Sequence, residues 1–541
     1  MTMRALGRGR LGLALASTLG AVVVATVSGA PTPSTAHSRA ASRPAIVRTS
    51  AGRVRGTAAT SYRSFQGIPY AAPPVGPLRW RSPRPPAPWT GVRDATRPGN
   101  RCAQTANPVS GTAGSTSEDC LYLNVTVPDE PSGRRLPVLV YLHGGGLSSG
   151  AGSDQEPRRL AVRARAVVVT LNYRLGVFGF FGHTGLPGSG TFALQDQQAA
   201  LSWVRRNIAR FGGDDRNTTL FGESGGGDSV CAQLVSPSAR GLFDKALIQS
   251  GTCTDANPVD DLYPGAGPSV ATWKPLSTVD QTGDRTAVKL GCATTTLACL
   301  RAIPAAKLLA DPAVAAAYWS PAYHTPALPE SPATAIAQGL AAHVPVMMGT
   351  TSDEASLLVA TSYQTIDADT YRGLLTRAFG ADADRVSGAY PLRTYGSPSR
   401  AWSAIVGDRG YVCPNQRTET TLSRTTPTYG YEFTDQHPPL IFDVQPTFPL
   451  GAYHGADVPY LWDDPDTPVR LTAAQRALAD RMIGYLGDFA ATGDPNGAGR
   501  PYWPHIRTAP PALRLLTPQS AHEHPTPTAT RHHCQLWQDL R

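Results

Sequence analysis

Downstream of about residue 137 the chain carries short, nearly unbroken apolar runs separated by turns and longer amphipathic stretches. Residues 137–143 (PVLVYLH), 166–172 (AVVVTLN) and 218–221 (TTLF) are such runs, each too short for a helix of a domain this size. A strand covered by helices on both faces needs apolar side chains at successive positions, not at alternate ones, and this pattern predicts a mostly parallel sheet with helices on both sides. A helix is predicted over about 195–211. Near the end, residues 472–491 place Ala474, Leu478, Met482, Tyr485, Leu486 and Phe489 at helical spacing, which predicts an amphipathic helix facing the core. Residues 255–340, rich in Pro, Ala and Thr with weak periodicity, are expected to form lid and pocket-wall helices.

Composition narrows this picture. With 41% hydrophobic and 16% charged residues over 541 positions, the chain can bury a sizeable core, and no repeat or long linker divides residues 45–541. At the start, Arg4, Arg8 and Arg10 precede an apolar stretch over 11–27, and Ser28 and Ala30 are small residues suited to a cleavage site. This predicts a signal peptide cut near 30 or 36, within a leader of residues 1–36. A membrane anchor fits less well, because Gly and Ser break the short apolar run and a Pro/Thr/Ser/Ala-rich segment follows it. The net charge is +9, but three of those Arg lie in the leader and the rest are scattered, which argues against nucleic-acid binding. Eight cysteines in an exported chain can form bridges without an orphan, while sequence alone leaves their pairing open. None sits in a zinc-type cluster, so no metal or other cofactor is expected.

The sharpest local signal is Gly222-Glu223-Ser224-Gly225-Gly226, between a predicted strand and the helix-like GDSVCAQLV. A serine between small residues at a strand-to-helix turn is lifted clear of the sheet as a nucleophile, and the helix N-terminus favours developing negative charge. Upstream, His143-Gly144-Gly145-Gly146 directly follows a predicted strand. Consecutive glycines let backbone N–H groups turn inward together, so Gly145 and Gly146 are expected to donate to an oxyanion beside the N–H of Gly225. Serine is a weak nucleophile without a base, and the base needs an acid to fix its tautomer. Twelve histidines leave that choice open on chemistry alone.

Ordered blocks along the mature chain supply the rest. FQGIPYAAPPVGPLRW (65–80), SEDCLYLNV (117–125), NYRLGVFGF (172–180), LQDQQAALSWVRRNIARFGGD (194–214), TLFGESGGG (219–227), GTTSDEAS (349–356) and YHGADVPYLW (453–462) resemble the type-B carboxylesterase/cholinesterase family. The resemblance implies an α/β-hydrolase fold, a single catalytic domain over 37–541 and a small-molecule ester substrate. It puts the acid at Glu354, with Asp353 as the adjacent rival, and the base at His454. Ala355 stands where the family usually has Gly. Glu223 and Ser250 become supporting residues, and Arg79 with Glu118 and Arg174 with Asp196 become structural ion pairs. The implied bridges are Cys102–Cys120, Cys292–Cys299 and Cys413–Cys534; Cys231 and Cys253 remain, flanking one helix–strand unit, and are expected to pair.

Three departures bear on specificity. Residues 103–119 contain no aromatic residue, so the tryptophan with which cholinesterases bind a quaternary ammonium is missing. Leu147 follows the glycines where an aromatic is usual, which is expected to reshape the acyl or alcohol pocket. Gly225 replaces the family's alanine; the backbone donor survives, and Gly225→Ala is expected to be tolerated if the elbow keeps the family's geometry, or to depress activity on bulky esters if the missing methyl admits larger acyl groups. The expected protein is a secreted serine carboxylester hydrolase. A lipase, an amide, carbamate or lactone hydrolase on the same residues, and a non-catalytic adhesion domain are the alternatives.

Overall fold

The apolar runs lie side by side at the centre of one large sheet. The structure, a computed structural model, describes residues 45–129, 133–254, 272–292, 297–463, 469–507, 510–519 and 525–540. Its strands are β1 (Ala45–Arg48), β2 (Arg53–Ala58), β3 (Tyr62–Pro69), β4 (Val92–Asp94), β5 (Tyr122–Pro128), β6 (Leu136–Leu142), β7 (Val167–Leu171) and β8 (Gly213–Glu223). Then come β9 (Lys245–Gln249), β10 (Lys274–Pro275), β11 (Ala322–Tyr323), β12 (Val346–Thr351), β13 (Thr428–Phe433), β14 (Ala512–Leu516) and β15 (Pro525–Pro527). Thirteen of them form one sheet in the order β1-β2-β3-β5-β7-β6-β8-β9-β12-β13-β14-β15, with β4 beside β2, while β10 pairs with β11. Every pairing from β7 through β14 is parallel, and antiparallel strands border this run on both sides. This mostly parallel sheet with its helices is an α/β-hydrolase fold.

Alternate residues of a strand point to opposite faces, so an apolar run feeds two cores at once. In β6, Val138, Val140 and Leu142 join the core on one face, and Leu139 and Tyr141 join the core on the other. Each fully buried Val or Leu contributes roughly 1.5–3 kcal/mol relative to an exposed one.

The helix predicted over 195–211 is Phe192–Asn207 followed by a 3-10 turn, Ile208–Phe211, that ends at Gly212 with φ 98°. The helix near the end is Ala473–Thr492, opened by a Thr472/Gln475 capping box and closed by Gly493 with φ 82°. Ala474, predicted to face the core, is exposed; Gln475 is buried instead because its amide serves the cap. The run over 218–221 is the end of the longer strand β8. In the 255–340 segment the described helices are Leu276–Lys289 and four shorter pieces, Leu297–Ala302, Ala305–Ala310, Pro312–Ala315 and Pro332–Ala337. Residues 255–271 and 293–296 and the proposed leader lie outside the described residues. Among the described residues no helix is long and apolar enough to cross a membrane.

Cys102–Cys120, Cys231–Cys253, Cys292–Cys299 and Cys413–Cys534 are bonded. Arg174 grips Asp196 through two hydrogen bonds of 2.7 Å, with both side chains nearly inaccessible. Arg79 pairs with Glu118 and also donates to the carbonyls of Leu300 and Ile303, which ties the first disulfide loop to the end of the helix Leu297–Ala302.

Candidate active site

Strand β8 lies between β6 and β9 and delivers Ser224 at its C-terminal end, where the helix Gly225–Val235 begins. Ser224 has φ 56° and ψ −126°, a backbone state that costs a non-glycine residue of order 1–3 kcal/mol and persists only where the surroundings enforce it. Here they do. The Ser224 N–H donates to Gln249 O at 2.9 Å, and Ser224 O accepts the Asp228 N–H at 2.9 Å. A Cβ on Gly226 would lie 2.0 Å from Leu142 O, so the helix can start against the end of β6 only with glycine there.

Glu354 follows β12 in a turn closed by its own side chain: Oε1 accepts the Thr351 N–H at 2.8 Å. Its other oxygen, Oε2, meets His454 Nδ1 at 2.6 Å, and Glu354 is fully buried. Asp353 is spent elsewhere. It exchanges backbone and side-chain hydrogen bonds with Ala452 (3.0 and 3.1 Å) and accepts from Ser352 Oγ and Gln436 Nε2. The remaining ring nitrogen of His454, Nε2, lies 3.6 Å from Glu223 Oε1. Burial pushes the His454 imidazole down, but the adjacent carboxylates of Glu354 and Glu223 outweigh it and raise its pKa to about 9. Burial raises Glu223 to about 8 against the pull of His454.

The Gly-rich loop runs with φ 103° at Gly145, 60° at Gly146 and 59° at Leu147. Gly145 O accepts the N–H groups of Ser148 and Ser149, and the His143 ring stacks on Tyr173, whose hydroxyl donates to His143 O at 2.6 Å. Among the described residues, the N–H groups of Gly145, Gly146 and Gly225 donate to no protein acceptor. Leu147 points into the core with 2% exposure, so its side chain is packed away instead of lining an open pocket. The Ser250 hydroxyl is buried without a hydrogen-bond partner, so the contact with the acid that its family position implies is not made.

Sequence reasoning passed over three further groups. Asp457, three residues beyond His454, accepts from Gln249 Nε2 at 3.0 Å, and burial raises its carboxyl to about 6. Asp228, one helical turn after Ser224, accepts the Thr252 N–H at 2.7 Å, and burial lifts it to about 7. Both stand inside motifs already quoted, and the signal was a carboxylate placed where a strand-end apolar environment would desolvate it. The Tyr411 ring lies 5.3 Å from the His454 ring, tilted by 58°, on a π-helical turn, Asp408–Val412, that no residue pattern announces.

The mostly parallel sheet, with Ser224 strained at the end of β8 and His454 bonded to the buried Glu354, has the layout of the α/β-hydrolase class. The chain belongs to the carboxylesterase family, whose match covers residues 43–537. It is 34% identical over 468 residues to the para-nitrobenzyl esterase of Bacillus subtilis (strain 168), covering 83% of this chain and 90% of that protein. With the cocaine esterase of Homo sapiens it shares 32% identity over 485 residues, 82% of this chain and 81% of that one. The solved structure of a thermophilic PNB esterase superposes with a TM-score of 0.73 at 32% identity, covering 87% of this chain and 96% of its own.

Proposed function

We propose that this carboxylic ester hydrolase works through an acyl-enzyme on Ser224, with His454 as general base and Glu354 as the acid that orients it. The observation that carries this is the 2.6 Å contact of His454 Nδ1 with the buried Glu354, together with a strained elbow at Ser224 whose preceding residue, Glu223, lies 3.6 Å from His454 Nε2. Neutral His454 takes the Ser224 proton at Nε2 as Oγ attacks the ester carbonyl. The N–H groups of Gly145, Gly146 and Gly225 hold the negative oxygen of the tetrahedral intermediate. The imidazolium then protonates the departing alcohol, and a water activated by the same nitrogen releases the acid and restores Ser224. Glu354 accepts the Nδ1–H throughout and compensates the charge on the ring.

The enzyme is exported: the basic and apolar leader of residues 1–36 and four bonded cysteine pairs support this. The mature chain is one catalytic domain. Edman sequencing of the protein recovered from culture medium is expected to start after Ala30 or Ala36. A fluorophosphonate is expected to label Ser224, and attachment at any other serine contradicts the assignment.

A further inference from the structure

The Gly-rich loop lies closer to the elbow than any side chain at residue 225 permits. A Cβ on Gly225 would stand 2.8 Å from Leu147 N, 3.2 Å from Gly146 N and 3.3 Å from Gly146 C. All three neighbours are backbone atoms, so no rotamer change can make room. Gly225 does not have a positive φ, which means that the position excludes volume and not a conformation. Alanine therefore conflicts with this spacing, contrary to the tolerance expected had the elbow kept the family's geometry.

Neither partner can retreat freely. The helix start is pinned where Gly226 abuts Leu142 O and where a Cβ on Gly227 would come within 2.9 Å of Gly251 Cα. The loop is pinned by the Gly176 N–H on Leu147 O (2.9 Å), by the two serine N–H groups on Gly145 O and by the buried Leu147 side chain. We infer that Gly225 is a positioning residue: the missing methyl sets the gap between the loop's N–H groups and the elbow's own, and so fixes where they converge on the oxyanion. This rests on the reading of Ser224 as nucleophile and of those N–H groups as its oxyanion donors. An alanine pushes the Gly146–Leu147 backbone outward while leaving Ser224, His454 and Glu354 in place. Such a displacement weakens hydrogen bonds made in the transition state more than those made to the bound ester.

The test is Gly225→Ala, with Gly388→Ala as a control at a site where a Cβ meets nothing within 4 Å. For 4-nitrophenyl acetate, kcat is expected to fall about 10- to 100-fold with KM changed less than about threefold, since losing a whole oxyanion donor costs about 100- to 1000-fold. Inhibition by a trifluoromethyl ketone, which forms a hemiketal oxyanion with the serine, weakens by the same factor. Wild-type turnover in the variant, or a loss confined to KM, overturns the inference. If the variant does not fold, a crystal structure of the phosphonylated wild-type enzyme decides. The inference requires the Gly146–Leu147 backbone in van der Waals contact with Gly225 Cα and the phosphoryl oxygen on the N–H groups of Gly146 and Gly225; a loop withdrawn far enough to admit a methyl group overturns it. Wild-type enzyme that no fluorophosphonate labels at Ser224 defeats the functional reading itself, whereas labelled wild type with a fully active alanine variant defeats only the role of Gly225.

Discussion

At Ser224 a single residue holds backbone strain that its neighbours enforce, and around His454 the charges are unusually dense. Only neutral imidazole can take the serine proton, and the His454 pKa is raised to about 9, so kcat/KM is expected to climb with pH through neutrality and level off near that value. Glu223 stands 3.6 Å from Nε2 and helps to hold the proton on the ring. Glu223→Gln removes that charge, and the midpoint of the pH profile should move to lower pH; an unmoved or raised midpoint contradicts the contact. Glu354→Gln leaves the ring anchored to a group that can present the wrong hydrogen-bonding partner, and kcat should fall by about 10⁴-fold with little change in fold. The elbow was legible because the close approach of β6 to the helix demands glycines at fixed offsets, which is a local property of the chain. The proposed base was not legible from chemistry, since His454 is one of twelve histidines, and only the ordered family blocks separated it from the others. Asp353 and Glu354 are neighbours in sequence with equivalent chemistry, and the turn after β12 decides which of them faces the ring.

Among the elements, the parallel strands were readable because burial on both faces writes a continuous apolar run. The antiparallel strands at the N-terminal edge were not: β2 (RVRGTA) buries only alternate positions and carries arginines on its open side. The π-helical turn Asp408–Val412 was equally invisible, yet it connects two sites. Tyr411 packs on His454, and Asp408 accepts from the Tyr390 hydroxyl and pairs at 2.6 Å with His532 Nδ1. The other ring nitrogen of His532 meets Glu432 at 3.0 Å, and Arg531 closes on the same carboxylate. Burial would lower the His532 imidazole, but Asp408 and Glu432 outweigh it and carry its pKa from 6.5 to about 10. A histidine whose folded pKa is raised stabilises the fold fully below about pH 6.5, and that contribution fades as pH rises through about 10. His532→Leu leaves two buried carboxylates without their shared cation and should cost about 3–5 kcal/mol. Urea melts at pH 6 and pH 9.5 check both statements: the deficit of the variant should be larger at the lower pH, and an equal or reversed difference contradicts the sign.

On the scale of the whole molecule, residues Ser42–Arg541 form one compact unit, and the bond Cys413–Cys534 closes a loop of 121 residues that spans the His454 region and the chain's end. A crosslink over so long a loop restricts the unfolded chain strongly, and replacing both cysteines by serine should remove about 2–5 kcal/mol of stability while the folded enzyme keeps its turnover. Unchanged melting temperature in the double variant contradicts this. Its pairing, like those of Cys102–Cys120 and Cys292–Cys299, came from the family resemblance, with Cys231 and Cys253 left over to pair, because an even number of cysteines says nothing about which ones meet. Residues 255–340 were the least legible part for a physical reason: apart from Leu276–Lys289, their described helices run four to six residues, too few turns for an apolar face to repeat. The proposed mechanism requires one nucleophile per chain. Intact mass spectrometry of the protein treated with a fluorophosphonate, followed by peptide mapping, should find a single adduct per chain, on Ser224, with ester hydrolysis lost in proportion, and no adduct on folded Ser224→Ala, whose kcat should be lower by about 10⁴-fold or more. A stoichiometric adduct on another serine, or full hydrolysis by the Ser224→Ala protein, would contradict it.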